Sequence, residues 1–194
     1  MTTIVQAFGR FQEDLWARLA LLDGLAPLAL RIYLFFPLWM AGTQKIRGME
    51  NTIEWFGNSE WGLGLPFPSL LAPLAAYTEA IGAVLLLVGL ATRWISIPLI
   101  IVMLVATFAV HWPQGWAAIA DSSAPEVAQR LGRAREILQE FGNYDWLTEQ
   151  GSFVVLNNGI EFAVTYLIML LALLFTGGGR FVSIDYYLGR SLYR

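Results

Sequence analysis

Cysteine is absent from this chain, and histidine occurs once. Without a thiol the chain has no disulfide staple, no thiol–disulfide chemistry, no Cys-ligated zinc and no iron–sulfur cluster of its own. One histidine leaves no bis-histidine pair for haem. Charge is scarce as well: Asp, Glu, Lys and Arg make up 14% of the residues, against about a quarter in a soluble domain. The net charge of −3 gives no basic footprint for nucleic acid. No G-x-S-x-G, Walker or dinucleotide-binding pattern occurs, so a hydrolase or a redox enzyme with a visible cofactor motif is unsupported. The opening residues, Met1 to Trp16, lack the apolar core and small-residue cleavage site of a signal peptide, and the chain is expected to be retained whole.

Apolar surface is what the chain has in abundance. Hydrophobic residues make up 57%, and the mean hydropathy is +0.56. The run Pro68 to Leu90 carries one carboxylate, Glu79, near its middle. A membrane span needs roughly 20 apolar residues at about 1.5 Å each, which sets Glu79 on the order of 15 Å below either surface. A carboxylate at that depth is costly unless it is paired, hydrogen-bonded or facing water. Further apolar runs give the expected fold class: an all-α integral membrane four-helix bundle, a single domain over 1–194. Its spans are expected near 27–46, 69–90, 95–112 and 155–176.

The segments outside the spans carry their own patterns. Ile4, Phe8, Phe11, Leu15, Leu19 and Leu22 recur at helical spacing, which predicts an amphipathic helix lying in the membrane interface. The stretch 47–67 is rich in Gly, Pro and aromatics, and reads as a folded lid rather than a linker. Within the second outer loop, Ser123-Ala-Pro-Glu126 reads as a capping box opening a helix over about 124–141. Val127, Leu131, Ala134, Leu138 and Phe141 form its apolar stripe, and Gly142–Asn143 ends it. The glycines at 177–179 fit a helix C-cap with a tight turn better than a phosphate loop, since no Lys-Ser/Thr follows.

Four spans put both termini on one side of the bilayer, and the arginine distribution favours the cytoplasm for that side. Lys45, His111 and Glu161 then fall toward the outer ends of three spans, with Glu79 deeper in a fourth. These four form the candidate polar cluster. Glu79 and Lys45 are the best pair, because a lysine stem can reach inward from a helix end. One reading is an ion pair that fixes helix register; the other is a proton relay or head-group site. His111, beside Trp112 and Trp116, reads as an interfacial or capping residue, or as a proton carrier if Glu161 or Glu79 is near. One His and two Glu would suit iron, manganese or zinc, but no H-x-x-x-H or E-x-x-H spacing occurs, and no metal ligands are assigned. Gly42, on the side of Leu38 and Lys45, is expected to let a neighbouring helix approach. Arg31 reads most simply as a snorkelling residue on lipid phosphate.

The residues also resemble a known family. Arg31 lies early in span 1, and A-G-x-x-K (Ala41, Gly42, Lys45) lies at its end. E-x-x-G-A-x-L-L-L-x-G-L-A-T-R runs from Glu79 to Arg93, and G-x-G-R-x-x-S-I-D from Gly177 to Asp185. Together these resemble the DoxX family over about residues 27–187. The stretches Trp55 to Pro68 and His111 to Ala120 are similar to the HvfX branch, named for operons that make copper-binding, ribosomally synthesised modified peptides. The resemblance implies a four-helix membrane protein of the bacterial inner membrane associated with redox systems, since relatives include a quinone-reducing thiosulfate dehydrogenase subunit. The matching positions are Arg31, Lys45, Glu79, Arg93, Arg180 and Asp185, with His111 in the branch pattern.

Two functions from different classes follow. In the first, the protein is a redox-linked accessory in peptide maturation, with a quinone as the candidate cofactor. Glu79, Lys45, His111 and Glu161 handle its head and protons, and Trp39, Tyr77, Trp112 and Arg31 bind it. In the second, it is a non-catalytic scaffold that anchors soluble maturation enzymes. The expected partners are the lipid bilayer, soluble peptide-modifying enzymes and further copies of the chain as a homo-oligomer; nucleic acid is not among them.

Overall fold

A computed structural model describes residues 2–192, with backbone alone for residues 2–5, 7 and 192. Ile4, expected on the apolar stripe of the first helix, and Arg194, counted among the inner arginines, lie outside the described side chains. Regular secondary structure among the described residues is helical, apart from one isolated β-bridge between Ile119 and Leu156. They form two compact units, residues 1–103 with 166–194 and residues 104–165.

The first unit begins with α1 (Thr2–Leu19) and a 3-10 turn (Ala20–Leu22). Phe8, Phe11, Leu15, Trp16 and Leu19 are all exposed, so the apolar face of α1 has no protein covering. Then come α2 (Leu25–Arg47), α3 (Met49–Gly57), α4 (Pro68–Val88) and α5 (Thr92–Val105). The stretch read as a folded lid contains α3, and its tail folds back: Leu63 and Leu65 amides donate to the carbonyls of Trp55 and Phe56. Pro68 opens α4 at its first position, where a missing N–H costs nothing. Gly89 closes α4 in the left-handed region (φ 65°), and the turn to α5 is only three residues long. Near the chain end lie α8 (Glu161–Thr176) and α9 (Ile184–Leu192). Gly177 (φ 73°) caps α8 by donating its amide to Leu173 O, which fits the C-cap reading of the glycine run.

Four of these helices share one core. Leu34 and Leu38 of α2, Ala83 and Leu86 of α4, Leu99 and Met103 of α5, and Leu170 and Leu173 of α8 form one buried cluster. Outward positions such as Phe36, Leu74, Ile81, Ile101 and Ile168 are apolar and exposed. Helices that are apolar all round are what a lipid solvent requires.

Among the described residues three helical stretches are long and apolar enough to cross a membrane: Phe8–Arg47, Pro68–Val88 and Thr92–Gln114. The protein is a multi-pass membrane protein. The expected fourth span differs from the structure. Its expected range is 155–176, but helix begins only at Glu161. Sixteen residues rise about 24 Å, short of the roughly 30 Å hydrocarbon layer. The six residues lost from the expected span belong to the second unit, where they pair with another segment of that unit.

That unit carries a π-helical turn (Ala106–His111), a 3-10 turn (Trp112–Gln114), α6 (Pro125–Phe141) and α7 (Tyr144–Thr148). The backbone from Asn157 to Glu161 donates to carbonyls of Gly115, Trp116, Ala117 and Ala118. A Cβ on Gly159 would lie 2.5–2.6 Å from three of those carbonyl oxygens, so only glycine fits. The capping box expected at Ser123–Glu126 does not form. Ser123 instead donates its hydroxyl and amide to Asp121 Oδ1, and Ala124 precedes Pro125 without a side-chain cap. The helix begins one residue later than the box requires, with Ala124 rather than Ser123 at the N-cap position. Of the apolar stripe on α6, Leu131 is buried, but Phe141 is 80% exposed.

Candidate functional site

The site starts from Gly42. A Cβ here would lie 2.5 Å from Ala80 N and 2.9 Å from Ala76 O, both backbone atoms of α4. The missing side chain therefore sets how closely α2 and α4 approach. Ala72, Ala76, Ala80 and Ala83 are buried along α4, a small-residue seam that permits the contact. Three residues after Gly42, Lys45 leaves α2 on the same side and meets Glu79 of α4, with Nζ 2.6 Å from Oε2. The Glu79 side chain is 4% exposed and that of Lys45 26%. The pair is thus asymmetric, a carboxylate in the protein interior and an ammonium at its edge.

Lys45 is also the one lysine of the chain. It forms part of the wall of an open pocket of about 430 Å³, lined by Ala41, Gln44, Lys45, Gly48, Asn51, Thr52 and Trp55. The wall comes from the end of α2 and from α3, joined at Gly48. Thr52 is fixed by donating its hydroxyl to Gly48 O (2.9 Å) and lies 3.3 Å from Lys45 O. The pocket therefore offers an ammonium, two amide side chains and an indole face. Such a set suits a ring bearing carbonyl or hydroxyl groups: N–H groups meet oxygens and the indole covers the ring.

The other expected site residues take up different positions. His111 Nδ1 donates to Asn158 O at 2.8 Å, which fixes the proton on Nδ1 in the neutral ring. Asn158 sits at φ 60°, a region Asn tolerates, and so turns its carbonyl to the ring. Glu161, the first residue of α8, accepts from Ala118 N at 3.0 Å. Both belong to the unit 104–165, and each holds loop backbone there. Among the described residues no three of His, Cys, Asp and Glu gather into a metal-holding group. Trp39 stacks on Phe35 and is exposed, Tyr77 is exposed, and Trp112 is exposed beside Phe108. Trp55 is the aromatic wall of the pocket at Lys45, and neither Trp39 nor Tyr77 is part of it.

Arg31 corrects the lipid-phosphate expectation outright. It is fully buried. Its Nη1 donates to Leu87 O and Val182 O at 3.1 Å and to Leu86 O at 3.3 Å, and its Nη2 to Phe181 O at 2.7 Å. These carbonyls are the C-terminal end of α4 and the strap before α9. The guanidinium satisfies orphan helix carbonyls at the negative end of the helix dipole, which removes it from lipid. Asp185 does the reverse for α5. Its Oδ1 accepts from Ala91 N (2.6 Å) and its Oδ2 from Thr92 N (2.8 Å), while its own amide donates to Gly89 O (2.8 Å). Arg31 and Asp185, both in the family pattern, together with Gly89 thus form one latch that closes residues 181–185 on the α4–α5 turn. Its Arg31 lies 14 residues before Lys45 on α2, roughly 21 Å along the helix axis.

Sequence reasoning missed the pocket walls Gln44, Asn51, Thr52 and Trp55. One available signal was the lone lysine; another was the polar set Asn51–Thr52–Trp55 following it at helical spacing.

Comparison with known proteins bears on the same residues. Residues 26–112 match the DoxX family model, a segment that includes Arg31, Gly42, Lys45 and Glu79. A relative described as "Putative oxidoreductase CatD", from Bacillus subtilis, is 40% identical over 70 residues, 36% of this chain. The chain spans about half the length of that curated relative, 48%. No solved structure matches the chain. The stretch around the Lys45–Glu79 pair is therefore DoxX-like in sequence.

Proposed function

We propose that this is a DoxX-type protein of the bacterial inner membrane in which the Lys45–Glu79 pair binds the polar head of a quinone. One observation carries the reading: a buried carboxylate joined at 2.6 Å to a lysine that itself lines an open polar pocket. Quinone reduction takes up two electrons and two protons. In this reading the two electrons come from soluble partner enzymes, Lys45 Nζ donates a hydrogen bond to a quinone oxygen, and Glu79 passes on both protons in turn, each drawn from water at the open mouth of the pocket. Trp55 covers the ring. The similarity to a relative named as an oxidoreductase supports redox work. The branch resemblance of Trp55–Pro68 and His111–Ala120 supports maturation of a copper-binding modified peptide as its setting. The four-helix bundle, the single domain over 1–194 and the cytoplasmic termini belong to the same proposal.

Titration of the purified protein in detergent with a short-chain quinone, followed by quenching of tryptophan fluorescence, tests it. Saturable quenching that weakens at least tenfold in Glu79→Gln and in Trp55→Leu is expected. Unchanged affinity in both variants overturns the reading.

A scaffold is the second reading, and α6–α7 favour it. Ile137, Phe141, Trp146 and Leu147 are exposed apolar residues on a unit otherwise rich in charge. Such a face suits a soluble partner enzyme. In that case the ion pair serves only helix packing, and the double variant Lys45→Met/Glu79→Gln retains activity in cells.

A further inference from the structure

The other end of the first unit holds a second and larger pocket, about 890 Å³, which the quinone reading leaves unused. Its wall includes Asp23, Arg93, Trp94, Gly178, Arg180 and Tyr186. Each carboxylate in it is already engaged. Asp23 pairs with Arg180, Oδ1 to Nε 2.7 Å, and both oxygens of Asp185 hold the start of α5. Arg180 is spent further on Ala20 O at 2.6 Å. Arg93 is not. It is exposed, its Nη2 donates to Phe175 O at 3.0 Å, and it is in no ion pair among the described residues. Arg190 stands over the Tyr186 ring at 5.8 Å, also without an acidic partner among the described residues. Arg93 is therefore the uncompensated positive charge in the pocket wall, and Arg190 lies outside that wall, beside Tyr186.

Its surroundings set the depth at which it lies. Trp94 is 77% exposed and Phe175 76%, on either side of Arg93, and Tyr187 is exposed on α9. Aromatic side chains bared at helix ends mark the head-group layer. Two amphipathic helices leave from the same place. α1 is tied to the pocket through Ala20 and Asp23 and exposes Phe8, Phe11, Leu15 and Trp16; α9 exposes Tyr187 and Leu188. Helices of that kind lie in the bilayer interface. A pocket framed by interfacial helices and aromatics, with the uncompensated Arg93 in its wall, meets the head groups of one leaflet.

We infer that this pocket binds the phosphodiester head group of an anionic phospholipid, with Arg93 as the main phosphate ligand. The acyl chains then lie along the apolar outer faces of the helices. The site is independent of the Lys45 pocket, since α2 separates the two.

The test uses the full chain in a neutral detergent, with phosphatidylglycerol or phosphatidylcholine added, and reads bound lipid by native mass spectrometry. Phosphatidylglycerol is expected to bind preferentially. Arg93→Gln is expected to weaken it roughly five-fold, and Arg93→Lys to retain most of it. Arg130→Gln, an exposed arginine of α6 that is not part of the pocket wall, is expected to leave it unchanged. Equal retention of the two lipids, or no effect of Arg93→Gln, overturns the inference. Inorganic phosphate at millimolar concentration is expected not to displace the lipid; displacement assigns the pocket to a soluble anion and also overturns it. Because Arg93 is exposed and bonds one carbonyl, its loss is not expected to unfold the chain.

Discussion

Removing one partner of the Lys45–Glu79 pair should depend strongly on which partner goes. Lys45→Met leaves a carboxylate that is 4% exposed without its ammonium. Breaking a buried pair in this way costs about 3–5 kcal/mol, because the remaining charge has lost its partner. Glu79→Gln leaves Lys45, which is 26% exposed and borders an open pocket. Its stem can swing the ammonium to water, so the cost should be nearer 1–2 kcal/mol. The double variant Lys45→Met/Glu79→Gln holds no orphaned charge and should be destabilised by no more than about 1–2 kcal/mol, giving a coupling of at least about 2 kcal/mol. Reversible unfolding in mixed micelles with rising SDS fraction gives all four corners of the cycle. Equal effects of the two single variants, or a double variant as unstable as their sum, would refute the reasoning. The same proteins separate the two functions: a well-folded double variant that fails to bind quinone supports the chemical role, and one that works in cells supports the scaffold.

Three further outcomes follow from the geometry. Gly42→Ala should destabilise the protein by about 1–3 kcal/mol, since its Cβ would meet α4 backbone at 2.5 Å and no side chain can yield; a lowered thermal midpoint in detergent checks this. Arg31→Lys should lose about 1.5–3 kcal/mol despite keeping the charge, because an ammonium cannot reproduce a two-nitrogen fork on carbonyls from two segments; the same melt measures it. At the start of the α6 loop, hydrogen bonds from Ser123 hold the Asp121 carboxyl below its usual 3.8. A depressed carboxylate contributes order above its unfolded value and loses it as pH falls through its folded value. Ser123→Ala should therefore raise the Asp121 titration midpoint toward 3.8, read by carbon-13 NMR of the carboxyl.

The sequence alone carried the membrane class. Runs of apolar residues longer than about 18 can mean little else, because only a lipid solvent tolerates them. It also carried local geometry: the 177–179 run as a helix end, Pro125 in the first turn of the loop helix, and Lys45 with Glu79 as partners. That last reading succeeded because a carboxylate at membrane depth has few stable options, and this chain has one lysine to offer.

Other features were beyond the reach of pattern. Arg31 looked like a lipid-facing residue because its neighbours in sequence are apolar, yet its partners Phe181 and Val182 lie 150 and 151 residues away. Asp185 likewise caps a helix that starts 93 residues earlier. Ser123 matches a capping box, but the helix starts one residue later, at Pro125, and Ser123 bonds Asp121 instead, a register that spacing does not fix. The expected fourth span was cut short because Gly159 and its neighbours spend their amides on carbonyls of 115–118. Hydropathy counts what a residue prefers to be solvated by, so it found the helices that face lipid. Which carbonyl an arginine reaches, and where two helices leave room for a pocket, depends on where distant backbone comes to rest.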